Sequence, residues 1–233
     1  MDYKIFVLCP EQSNRSDRWD WSNPKIYREL GFWKNDLELM DKLPLYKFMP
    51  TANIRTKMPR MACSEGHFNM LRKIVKEKLT NIFIVEDDSV IDYSKFDKFL
   101  EESKDIDGLI YVGGAFNYSK VKDWSYRKPH ISEYMEGKPI EGINEVTKDI
   151  WVCGTFGYFI KDYKIAEHIL KNSKGKTGKY LSSLTDVMYN KIPNLNKYYY
   201  YPSIVCCATN TTSSNISIKD PHFQKSFKNY KHN

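Results

Sequence analysis

Short apolar runs, each ending abruptly in polar or turn residues, recur along the chain. Lys4-Ile5-Phe6-Val7-Leu8-Cys9 stops at Pro10, Asn81-Ile82-Phe83-Ile84-Val85 stops at Glu86-Asp87-Asp88, and Gly108 to Val112 stops at Gly113-Gly114. Consecutive apolar positions over so few residues predict strands buried on both faces, as in a parallel sheet. Between the runs the period changes. Phe68, Leu71, Ile74, Val75 and Leu79 fall at helical spacing and predict an amphipathic helix from about Ser64 to Lys78, with Ser64 as its N-cap. Tyr93 to Ser103 reads as a second helix. Residues 21 to 60 are mixed, and prolines at 24, 44, 50 and 59 argue against long helices there.

The later half repeats the alternation less cleanly. Trp151 to Ile160 reads as a strand interrupted by Gly154 and Gly157, and Lys197 to Val205 as a last strand-like run. Asp162 to Asn172 and Leu181 to Lys191 read as helices joined by a loop over Ser173 to Gly178. Residues 115 to 149 are polar and irregular, which suggests a substrate-covering loop. Strand, helix, strand, helix, strand is the order of an open sheet covered by helices. The expected class is α/β, a mostly parallel twisted sheet flanked by helices, in a single domain over 1–233.

Three segments carry candidate chemistry. In open α/β sheets ligands bind beyond the carboxyl ends of strands. Glu86-Asp87-Asp88 stands at such an end, where three neighbouring carboxylates repel one another unless a cation lies among them. A hard divalent ion accepts both these oxygens and the oxygens of a phosphate. The bland alternative is a solvated acidic turn. Met61 to His67 opens the predicted helix, so free backbone N–H groups and His67 would face a polar ligand. Gly154 and Gly157 permit close approach by another backbone or a ligand. Asp186, flanked by apolar Leu184, Val187 and Met188, would be a partly desolvated carboxylate suited to general-base work, or else a helix cap.

Composition changes this picture only in places. The chain has 233 residues and a net charge of +7, so a polyanionic partner has to be weighed. Its lysines are scattered and no nucleic-acid-binding motif appears, which leaves a diphosphate as the simpler anion. The five cysteines are odd in number, and none forms a CxxC pair. That spacing predicts no zinc site and suggests a reducing compartment. No signal peptide or membrane-length apolar stretch is visible, so the expected location is cytoplasmic. Tyrosine is abundant at 17 residues. Trp124, Tyr126 and Trp151 are candidate platforms for sugar faces.

Taken together, Cys63 with His67, the strand ending in Glu86-Asp87-Asp88, Gly154-Thr155 with Tyr158, and the following Asp186 resemble glycosyltransferase family 25. That family comprises lipopolysaccharide and collagen galactosyltransferases. Order and spacing agree over roughly residues 60 to 205. The helix start is one residue longer than the family pattern, and Cys9-Pro10 replaces the family's opening motif. The resemblance implies a GT-A fold, with 1–115 as the nucleotide-sugar-binding half and 116–233 as the acceptor-binding half and C-terminal tail. It implies an inverting, metal-dependent transfer of a sugar from a nucleotide-diphosphate donor, a UDP-sugar by preference, to a glycan or other hydroxyl acceptor. The implied cofactor is Mn²⁺ or Mg²⁺, on Asp88 with Glu86, and His222 as a late ligand. Arg15, Arg18, His67, Glu86, Asp87, Gly154 and Thr155 are the donor-side candidates. Trp124, Trp151 and Tyr158 are the acceptor-side candidates, and Asp186 the base. A non-catalytic sugar-nucleotide or glycan-binding module on the same fold is the alternative.

Overall fold

A computed structural model describes residues 2–31, 54–118, 141–147, 150–175, 180–182 and 184–207. In chain order the elements are β1 (Lys4–Leu8), β2 (Ile26–Glu29), α1 (Ile54–Glu77), β3 (Ile82–Glu86), β4 (Ser89–Ile91) and α2 (Phe96–Glu102). They continue with β5 (Leu109–Tyr118), β6 (Gly142–Glu145), β7 (Ile150–Ile160), α3 (Tyr163–Asn172), α4 (Thr185–Lys191), β8 (Lys197–Tyr201) and β9 (Val205–Cys207).

Seven strands form one sheet in the order β2-β1-β3-β7-β5-β8-β6, and β4 pairs with β9 in a separate two-stranded ribbon. The expected α/β class holds. The sheet is mixed, because β7 lies antiparallel between β3 and β5, and β6 lies antiparallel on β8. β1–β2, β1–β3 and β5–β8 are parallel pairs. An antiparallel insertion needs no crossover helix, which is why the sequence alternation alone does not reveal it.

Successive side chains of a strand point to opposite faces, so each strand feeds two cores. Ile82 and Ile84 join Phe68, Leu71 and Ile74 of α1, Ile165 and Ile169 of α3, and Met188 and Tyr189 of α4. Phe83 and Val85 point the other way, onto Phe96, Phe99 and Leu100 of α2 with Phe159 and Tyr200. This two-sided burial explains the uninterrupted apolar run of β3.

Several boundaries differ from expectation. The helix predicted from Ser64 begins at Ile54 and runs through Pro59. The burial of Met61, Ala62, Phe68, Met70, Leu71 and Ile74 along one helix outweighs the single backbone bond a proline removes. Ser64 is therefore mid-helix rather than an N-cap. The helix read over Leu181 to Lys191 starts only at Thr185. The region 115 to 149, read as one loop, contributes the end of β5 and all of β6; residues 119–140 lie outside the described residues.

β5 and β7 are long because they continue past the sheet. Gly157 is the last β7 residue paired with β3, opposite Val85, while Cys153 to Ile150 pair with Ala115 to Tyr118 of β5. A two-stranded wall thus projects about 20 Å beyond the carboxyl end of β3. The chain returning from β8 crosses over its base. A Cβ on Gly113 would lie 2.1 Å from the Val205 carbonyl oxygen, and one on Gly157 would lie 2.9 Å from Val205 Cβ. Of the two glycines expected to admit a backbone or a ligand at this strand, Gly157 admits the Val205 side chain.

Candidate functional site

The acidic turn after β3 is held from both sides. The loop leaving β1 supplies three groups: Ser13 Oγ donates to Asp87 Oδ2, Arg15 Nη1 to Asp87 Oδ1 at 3.0 Å, and Trp19 Nε1 to the Asp87 carbonyl at 3.2 Å. On the other side Ser89 Oγ donates to the Phe156 carbonyl of β7 at 2.8 Å. Each Asp87 carboxylate oxygen and its carbonyl thus has a donor, which locks the turn onto the loop leaving β1.

Asp88 is different. Its Oδ2 lies 3.5 Å from Arg15 Nη1, whereas Oδ1 is buried without a hydrogen-bond partner among the described residues. A buried polar atom left unpaired costs on the order of 1–3 kcal/mol, and more when charged. Burial first, and then the charge of Glu86, push the Asp88 carboxyl up to about 7, with Arg15 pulling the opposite way. A carboxylate so placed gains from a cation.

Glu86 faces α1. Its Oε1 lies 3.4 Å from His67 Nε2 and accepts from Cys63 Sγ at 3.7 Å. The other imidazole nitrogen, Nδ1, meets the Tyr158 hydroxyl at 2.9 Å, and Tyr158 meets the Tyr189 hydroxyl at 3.1 Å. A relay of buried polar groups therefore runs from α4 through β7 and α1 to the end of β3. Burial, then the charges of Glu86 and Asp186, hold the Cys63 thiol well above its usual range. Burial and the neighbouring Tyr189 raise Tyr158 likewise.

Asp186 approaches from the first turn of α4. Its Oδ2 accepts from the Gly154 N–H and its Oδ1 from the Val187 N–H, each at 2.7 Å. Gly154 adopts φ +83°, a conformation L side chains rarely take, and this turns its N–H toward Asp186. Beside Asp186, Thr185 Oγ1 donates to Ser64 Oγ at 3.0 Å, a buried bond that joins α4 to α1. Cys63 Sγ lies 3.7 Å from Glu86 Oε1, and the charges of Asp186 and Asp88 add to the upward push of burial on its thiol.

The sequence candidates are thus sorted by position. Glu86, Asp87, Asp88 and Arg15 meet at the carboxyl edge of the sheet, and Asp186 contacts the projecting part of β7 at Gly154. His67 belongs at that edge but is wholly buried, thirteen residues beyond the start of its helix at Ile54, so no free helix N-terminus accompanies it. Tyr158, an acceptor-side candidate, is wholly buried in the core. Arg18 is exposed on the same short turn as Arg15. Trp151 is half-buried at the start of β7, on the projecting wall. Trp124, Tyr126 and His222 lie outside the described residues, as does the Thr155 side chain.

Sequence reasoning missed Cys63 as a possible ligand, because the search for CxxC pairs overlooks a Cys and a His four residues apart on one helix face. It also missed Ser13 and Trp19, whose partner is 74 and 68 residues away respectively. No protein-family model matches the chain, and no curated protein matches it.

Proposed function

We propose that the chain is a metal-dependent glycosyltransferase of GT-A type, using a nucleotide-diphosphate sugar and a hydroxyl acceptor. The observation that carries the reading is Asp88 Oδ1, a buried carboxylate oxygen without a described partner, on the strand end where an α/β sheet binds ligands. Asp88, with Glu86 beside it, supplies the hard oxygen donors that Mn²⁺ or Mg²⁺ takes. Such an ion offsets charge developing on a departing diphosphate.

The chain's own residues divide the remaining work. Ser13, Arg15 and Trp19 fix the acidic turn, so the metal-facing carboxylates need no reorganisation when the donor arrives. Asp186, oriented by the Gly154 and Val187 N–H groups, faces the turn from the opposite half. On this reading it accepts the proton of the acceptor hydroxyl as that oxygen bonds to the anomeric carbon. The bond from that carbon to the diphosphate breaks on the far side, the electron pair leaves with the phosphate, and the configuration inverts. The wall of β5 and β7, with Trp151, flanks the acceptor side.

The test is a thermal-shift titration with UDP and Mn²⁺. Binding at saturating ligand raises the melting temperature, and Asp88→Asn removes the rise. Absence of a shift with any of UDP, GDP or CMP plus metal would contradict the proposal. Mass spectrometry of nucleotide-sugar hydrolysis then separates a transferase from a module that binds without turnover: slow release of the nucleotide from one donor marks the enzyme, and Asp186→Asn suppresses it.

A further inference from the structure

Cys63, His67 and Glu86 form a second group of donors, on the α1 side of the acidic turn. Cys63 and His67 stand four residues apart in α1 and so share one face of it. Glu86 closes on both from the end of β3. Sγ, an imidazole nitrogen and a carboxylate oxygen all lie within 4.8 Å of one another.

The separations are informative. With bonds of about 2.3 Å to sulfur, about 2.05 Å to nitrogen and about 2.0 Å to oxygen, the edges of a zinc tetrahedron are about 3.3 Å for N to O and about 3.5 Å for S to O. The structure has 3.4 Å between His67 Nε2 and Glu86 Oε1, and 3.7 Å between Cys63 Sγ and the same oxygen. These edges match a tetrahedral site to within a few tenths of an ångström. The orientation of the imidazole fits too. A metal-binding histidine ordinarily donates its other N–H to a fixed acceptor, and His67 Nδ1 meets the buried Tyr158 hydroxyl at 2.9 Å, itself bonded to Tyr189.

We infer that Cys63, His67 and Glu86 constitute a site for a borderline transition ion, Zn²⁺ or Co²⁺, with a fourth position that no described residue fills. A thiolate, imidazole and carboxylate set selects such ions over Mg²⁺ or Ca²⁺, which prefer all-oxygen shells. Three protein ligands and one vacant position is the composition of zinc sites that act on a bound water or ligand, whereas structural zinc is closed by four. The inference rests on donor geometry and shares Glu86 with the transferase proposal, but each has a ligand of its own. That proposal depends on Asp88; this one depends on Cys63.

Cobalt provides the readout. Titrating Co²⁺ into the full chain should give a thiolate-to-metal charge-transfer band in the near ultraviolet and intense visible bands of tetrahedral coordination. Zn²⁺ should bleach both. Cys63→Ser should abolish the charge-transfer band, and His67→Gln should lower the Co²⁺ affinity at least about tenfold. Survival of the band in Cys63→Ser, or weak octahedral bands alone in the unmodified protein, would overturn the inference. X-ray absorption on the zinc-loaded wild type needs no variant: one sulfur neighbour at about 2.3 Å supports the site, and none, or two or more, refutes it. The Mn²⁺–UDP shift should persist in Cys63→Ser and vanish in Asp88→Asn, so either proposal can fail alone.

Discussion

On the proposed reading, Asp88 is a single side chain that trades stability for a binding role. Its oxygen without a partner among the described residues is a cost in the metal-free protein, so Asp88→Asn should raise stability without metal by about 1 kcal/mol while eliminating the Mn²⁺-dependent rise. Urea denaturation with and without Mn²⁺ measures both, and a variant less stable than wild type in the absence of metal would contradict this account. Lys197 illustrates a second buried charge, one remote from the acidic turn. It is nearly inaccessible, its Nζ donates to Asn190 Oδ1 at 3.3 Å, and burial depresses its amine. Between that lowered value and the unfolded value near 10.5, the unfolded chain holds a proton that the native one lacks. Stability attributable to this group therefore rises with pH across the window. Lys197→Met should be more stable than wild type at pH 7, with the gap closing as pH approaches 10. Parallel gaps at pH 7 and pH 9.5 would show the lysine to be electrostatically silent.

Among the elements, those with continuous apolar runs were legible and those set by distant partners were not. β1, β3 and β7 appear in the sequence within a residue or two of their bounds, because burial on both faces writes itself into consecutive positions. The four-residue strands β2 and β6 and the three-residue β4 carry no such run and exist through their pairing with β1, β8 and β9. The start of α1 was misplaced because Pro59 is locally a helix breaker and tertiary burial overrides it. In the site, the Glu86-Asp87-Asp88 turn and Asp186 could be read locally, whereas the burial of His67 and Tyr158 depends on how α1, β7 and α4 pack. The crossing of β5 and β7 by the chain at Val205 gives an element-scale prediction. Gly113→Ala puts a methyl against a backbone carbonyl that no rotamer change can move, so the crossing must shift. A loss of about 1–3 kcal/mol is expected, with Gly66→Ala as the comparison, since its nearest neighbour is at 3.8 Å. Equal losses at the two positions in chemical denaturation would refute the steric argument.

For the whole molecule, the sheet serves as a partition with a core on each side, and its central strands belong to both. Hydrogen exchange should therefore protect β1, β3, β7 and β5 most, and the edge strands β2 and β6 and the β4–β9 ribbon least. Protection of β6 equal to that of β3 would indicate a different cooperative unit. No helix among the described residues is long and apolar enough to cross a membrane. The clamp on Asp87 has a consequence for biosynthesis. Ser13, Arg15 and Trp19 precede the turn they grip, so a nascent polypeptide already carries the grip when Asp87 leaves the ribosome. Asp186 and Tyr189 arrive about a hundred residues later. A translation product halted before Thr185 would own a gripped acidic hook facing no counterpart, and the second jaw would join it only after a further stretch of about a hundred residues beyond Asp87.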